Sequence, residues 1–159
     1  MSKPNAQAYL RTKVLTASPA ELRLLLIDGA IRFAQTMRDG LEVKDHEKIY
    51  EGSSNCRAIV TELITSLKPE VDPKLCERLN SLYTYIYSRL VEGMSEKDIT
   101  IIDEVIKLLR YERDTWAMLL ENLSAAEVTP ESGSPKQPEQ GNPASSTDQM
   151  IGGRVSLSG

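Results

Sequence analysis

The 159-residue chain has one histidine, one tryptophan, one phenylalanine and two cysteines, and each scarcity removes a class of chemistry. With His46 alone, metal sites built on paired histidines are excluded, and so is a di-iron bundle, which needs a Glu-x-x-His turn from each of two helices. His46-Glu47 opens like a zinc-protease helix, but Tyr50 stands where the second ligand belongs. Cys56 and Cys76 are too far apart for a metal or redox couplet, and each sits in an apolar helical pattern, so both read as reduced core thiols. Neither a phosphate-binding loop nor a dinucleotide-binding glycine fingerprint occurs; the Gly152-Gly153 pair has no strand before it. The carboxylates Glu62, Asp103, Glu104 and Glu112 lie on helix faces and read as solvated surface. No metal, no cofactor and no enzymatic activity are expected from this inventory.

Long apolar runs are also missing. None approaches the length that crosses a membrane, and Met1 to Leu15 lacks the apolar core of a secretory leader, so a cytosolic location without membrane insertion is expected. Basic clusters are absent too: 19 Lys and Arg stand against 23 Asp and Glu, for a net charge of −4. Nucleic-acid binding relies on clustered cations that displace counterions from phosphates, so it is not expected. An acidic balance suits a soluble protein that handles other proteins.

What the chain does contain is helical periodicity with explicit caps. Ser18-Pro19-Ala20-Glu21 places a hydroxyl at an N-cap, proline at the first helical position and glutamate three residues after the cap. Leu22, Leu25, Leu26, Gly29, Phe33 and Met37 follow at spacings of three and four, and Leu24, Ile27 and Ile31 widen the stripe, so this helix is expected to pack on two sides. Gly40 reads as its stop. Asp45 caps a second helix to about Leu67, with a seam of Ile49, Ser53, Cys56, Val60, Leu63 and Leu67; Lys68-Pro69 ends it. Asp72-Pro73 opens a third, lined by Leu75, Leu79, Leu82, Ile86 and Leu90, with Cys76, Tyr83 and Tyr87 on a neighbouring line and Gly93 as a break. Ser95-Glu96-Lys97-Asp98 caps a fourth, whose Ile99, Ile102, Ile106, Leu109, Trp116, Leu120 and Leu123 are expected to face inward. Connections of about four to six residues favour antiparallel neighbours. The expected fold is all-α: an antiparallel four-helix bundle over 18–123, with room for a short additional helix in a flexible N-terminal arm, 1–17. From 124 to 159 the composition turns to Glu, Pro, Ser, Gly and Gln with an apolar end at Met150–Gly159, and a disordered tail is expected.

Two features exceed the needs of a core. Tyr83 and Tyr87 share a helix face while Tyr85 points nearly opposite, which fits either bundle packing or a binding groove. In the arm, Tyr9, Leu10, Val14 and Leu15 interleave with polar residues; they can staple the helix entry, or cover a groove until a partner displaces them.

Tyr9, then Val14-Leu15-Thr16-Ala17-Ser18-Pro19-Ala20-Glu21-Leu22, then Leu24-Leu25-Leu26-Ile27-Asp28-Gly29-Ala30 resembles the opening signature of the flagellar secretion chaperone FliS family. The likeness continues through Ile59–Leu63, Leu79–Tyr85, Arg89-Leu90 and Glu104-Val105-Ile106 to Trp116. Ile27 departs from it, standing where the family often has tyrosine, and the link from Pro69 to Pro73 lacks a glycine pair. The resemblance implies a cytosolic chaperone that binds the disordered C-terminal region of flagellin, prevents its premature polymerisation and keeps it competent for type III export, with the flagellar export apparatus as a further partner. It carries partner-binding roles to Tyr9, Val14, Thr16, Ala17, Leu22, Leu26, Asp28, Tyr83 and Tyr85; Ser18, Pro19 and Glu21 are assigned to folding as the helix cap. A competing expectation is a self-associating structural or signalling bundle whose apolar excess is covered in a homodimer. The tail's apolar end is expected to compete weakly for the same groove.

Overall fold

The computed structural model describes residues 3–128, and the tail beyond Val128, with its apolar end, lies outside the described residues. Among the described residues there are five helices and no strand: α1 (Lys3–Thr16), α2 (Pro19–Val43), α3 (His46–Thr65), α4 (Pro73–Glu96) and α5 (Ile99–Val128). The arm is therefore helical over Lys3–Thr16, and α5 runs past the expected boundary at 124.

The caps form largely as their chemistry dictates. Ser18 Oγ accepts the Glu21 amide at 3.2 Å, Asp45 Oδ1 the Lys48 amide at 3.2 Å and Asp72 Oδ1 the Leu75 amide at 3.1 Å, each satisfying an N–H that the first helical turn leaves unpaired. At α5 the expected cap shifts. Ser95 and Glu96 belong to the end of α4, and Asp98 takes the role, accepting the Thr100 amide at 2.9 Å and its hydroxyl at 2.6 Å. Those two bonds hold the Asp98 carboxyl below its ordinary range.

Neither Gly40 nor Gly93 stops its helix; both helices continue to a left-handed lysine, Lys44 at φ 57° and Lys97 at φ 54°. The lysine amides close back on the Gly40 and Gly93 carbonyls, and Asp45 or Asp98 at once caps the next helix. Gly40-x-x-x-Lys44-Asp45 and Gly93-x-x-x-Lys97-Asp98 are the same hairpin built twice. At Gly40 backbone proximity requires the glycine, whereas at Gly93 the close neighbour is a flexible side-chain tip. A Cβ on Gly40 would stand 2.8 Å from the Ile49 amide nitrogen, and one on Gly93 would stand 2.5 Å from Ile102 Cδ1.

Side-chain pairs fix the topology. Cys56 Sγ reaches the Ala30 carbonyl at 3.4 Å and Arg23 the Leu63 carbonyl, so α3 runs antiparallel to α2. Tyr83–Glu112 and Gly93–Ile102 set α5 antiparallel to α4, and Asp28–Arg113 with Arg38–Asp103 set it antiparallel to α2. The four long helices form an up-and-down bundle in the ring order α2, α3, α4, α5, with α5 closing against α2. The α2 core stripe is Ile27, Ala30, Ala34, Met37 and Leu41, all buried, so the Leu22–Leu26 line lies on the flanks and Ile27 belongs to the core. Small residues face inward on α2 because α3 lies so close. At the ends of the bundle the expected lines open out: Leu75 and Leu123 are exposed.

Candidate functional site

Every described side chain of α1 from Ala6 to Thr16 is exposed, including Tyr9, Leu10, Val14 and Leu15; the packed staple is not formed. Leu15 is 77% exposed, and with Tyr9, Leu10 and Val14 it leaves several large apolar side chains of one helix uncovered. The Thr16 hydroxyl donates to the Thr12 carbonyl at 2.8 Å, and Ala17 is half-buried at the turn into α2.

The remaining sequence-derived residues lie on different faces. Leu22 and Leu26 precede Gly29 by helical spacings, and Gly29 looks at Ile59 of α3, so both leucines edge the α2–α3 side. Asp28 looks the other way, accepting from Arg113 Nε of α5 at 2.9 Å. Tyr85 is 47% exposed and donates to Glu104 Oε1 of α5 at 2.6 Å. That bond raises the Tyr85 phenol and lowers the Glu104 carboxyl, with Arg89, 3.4 Å away, adding to the second effect. Tyr83 is fully buried in this structure.

Tyr83 instead anchors a polar hub that the sequence reading missed. Its hydroxyl donates to Glu112 Oε1 at 2.9 Å, and the Trp116 indole N–H donates to the same oxygen at 2.8 Å. Glu112, expected on a solvated face, is buried. The Arg23 guanidinium lies over both rings, 5.7 Å from the centre of Tyr83 and 5.4 Å from that of Trp116, and donates to the Leu63 carbonyl at 3.3 Å. One network thus ties all four bundle helices together, and burial followed by the Glu112 charge pushes the Tyr83 phenol well up. The Glu112-x-x-x-Trp116 spacing, which sets carboxylate and indole on adjacent turns, was the available signal.

The Tyr85–Glu104 bond also shows which flanks of α4 and α5 face each other. Counting helical turns from it, Leu82 and Leu75 continue the α4 flank, and Leu108, Tyr111 and Met118 continue the α5 flank. Leu82 and Leu108 are half-buried against the core, while Leu75, Tyr85, Tyr111 and Met118 are exposed. The result is an exposed apolar line along the outer side of α4 and α5 that carries two phenol groups. It holds no reactive constellation; its chemistry is burial of another apolar surface, about 1.5–3 kcal/mol for each large side chain fully covered. Among the described residues no helix is long and apolar enough to cross a membrane.

The family model described as flagellar protein FliS matches residues 1–123. The flagellar secretion chaperone FliS of Bacillus subtilis is 29% identical over 115 residues, covering 72% of this chain and 85% of that protein. Its Escherichia coli counterpart is 31% identical over 114 residues, covering 70% and 82%, and the flagellar secretion chaperone FliSB of Pseudomonas aeruginosa is 29% identical over 117 residues, covering 72% and 90%.

Proposed function

The chain belongs to the FliS family, a family of flagellar secretion chaperones, and from that membership we propose that it binds the disordered C-terminal region of flagellin in the cytosol. Bound in this way, the flagellin segment is masked from premature polymerisation and delivered unfolded to the flagellar export apparatus.

The observation that supports this reading is the exposed apolar line along α4 and α5, with Leu82 and Leu108 half-buried against the core and Tyr85, Tyr111, Leu75 and Met118 exposed beside them. An amphipathic segment that turns helical on contact can lay its apolar face there, gaining burial that offsets the ordering of its own chain. Tyrosine suits such a surface because its ring is covered while its hydroxyl stays wet. Tyr9, Val14, Thr16, Ala17, Leu22 and Leu26 belong in this proposal to a second contact region formed by α1 and the start of α2, with the arm shifting to admit flagellin.

Titration calorimetry of the full chain with the C-terminal flagellin segment from the same genome tests the reading. A saturable heat with a defined complex by size measurement is expected; a flat trace, or a homodimer that ignores the segment, overturns it and favours the self-associating bundle. Removal of residues 1–15 is expected to change flagellin affinity while the thermal midpoint of the bundle holds. Parallel loss of both makes the arm structural.

A further inference from the structure

On the flank of α5 that faces α2, a cleft of about 450 Å³ runs between the two helices, lined by Asp28, Ile31, Arg32, Arg110, Arg113 and Asp114. Three guanidinium groups in one cleft are unexpected in a chain of net charge −4. Their pairing is uneven. Arg113 binds both carboxylates, Asp28 at 2.9 Å and Asp114 at 3.5 Å, so the lining keeps an excess of one positive charge and the other two arginines have no direct carboxylate contact. The guanidinium groups of Arg32 and Arg110, both exposed residues, make no ion pair, hydrogen bond or ring contact among the described residues.

Other arginines facing inter-helix clefts are occupied. Arg23 is stacked and hydrogen-bonded, Arg38 and Arg89 hold carboxylates, and Arg57 lies over the Tyr87 ring at 6.0 Å. Two unpaired guanidinium groups beside a half-buried isoleucine therefore form a site with positive charge and an apolar floor. The planar guanidinium fork matches a carboxylate in geometry as well as sign.

We propose that this cleft seats an acidic side chain of the bound flagellin segment, its carboxylate between Arg32 and Arg110 and a neighbouring apolar side chain over Ile31. The Asp28–Arg113 pair positions the site by keeping Arg113 turned toward α2 and closing the cleft's inner wall. The proposal rests on the flagellin reading above, and it adds that the segment wraps both flanks of α5, apolar on one and charge-guided on the other.

The test is calorimetry of the full chain with the flagellin C-terminal segment at low and high salt, comparing the native protein with Arg32→Ala/Arg110→Ala and with a charge-matched control, Lys48→Ala/Lys68→Ala, at exposed positions away from the cleft. Circular dichroism checks that all three are equally folded. The cleft variant is expected to bind about tenfold more weakly at low salt. It should also lose part of the salt dependence, with Arg32→Lys/Arg110→Lys recovering part of the affinity while the control matches the native protein. Native binding with an unchanged affinity and salt slope in the cleft variant overturns this inference and leaves the flagellin reading standing. Absence of binding by the native protein removes both.

Discussion

The α2–α3 seam and the two seams of α5 hold the same bundle together by opposite means. Between α2 and α3 the backbones come close enough that side chains are excluded: a Cβ on Gly52 would fall against the Met37 amide nitrogen and 2.6 Å from the Phe33 carbonyl. α5 stands further from both neighbours and reaches them with long side chains, through Arg38–Asp103 and Asp28–Arg113 toward α2, and through Tyr85–Glu104 and Tyr83–Glu112 toward α4. A close glycine seam leaves no room for a guest; the stand-off seam between α2 and α5, bridged by polar tips, leaves a cleft. The binding surfaces proposed for this chaperone lie where the backbone packing is loosest. The α2–α3 pair reads as scaffold, and α5 as the helix around which a partner is received.

The largest effect should come from filling the close seam. Gly52→Ala sets a methyl against backbone atoms that cannot rotate away and is expected to cost about 3–4 kcal/mol, seen as a lowered thermal midpoint. The matching change at α5, Gly93→Ala, meets mainly the tip of Ile102 and should cost about 1 kcal/mol. Equal costs would erase the contrast between the seams. Next comes the hub: Glu112→Ala leaves the buried Tyr83 hydroxyl and the Trp116 N–H without their acceptor and should cost about 2 kcal/mol, with a change in tryptophan fluorescence. If stability is unchanged, the hub is ornamental to the fold.

The smallest effect is on pH dependence. Asp98 and Glu104, both at the α4–α5 hairpin and seam, have carboxyls held below their ordinary range, chiefly by Thr100 and by Tyr85 respectively. A lowered folded-state pKa contributes stability above the unfolded carboxylate range, and that contribution is lost as pH falls through the folded value. Both groups are only half-buried and in reach of solvent, so the loss is modest. Amide exchange followed as pH falls below the ordinary carboxylate range, about 4, should therefore show α5 loosening before α2 and α3; simultaneous loosening would place the acid-sensitive groups elsewhere.

Much of this fold was legible in the chain. Ser18, Asp45 and Asp72 announce three helix starts because a short polar side chain before an apolar run has one use there, and the Ile49–Leu63 seam reports its buried face directly. Gly40 and Gly93 misled for a physical reason: glycine at a helix end serves a left-handed turn or a close approach, and local sequence does not say which. Lysine in the left-handed position, with its backbone strain, concealed the true ends. The candidate site was read less well. Tyr83 carried the right residue type for an interface yet faces inward, and Glu112 carried a charge that suggests water yet is buried beside two donors.

By itself the sequence determined the helical class, the order and most starts of the bundle helices, and the family, because caps, periodicity and short motifs are properties of neighbours along the chain. Only the tertiary structure decided which apolar stripes are covered, that Glu112 joins four helices, and that a cleft opens between α2 and α5. Periodicity states which residues share a face; how closely a second helix approaches that face is set by groups distant in the chain, and that distance separates core from groove.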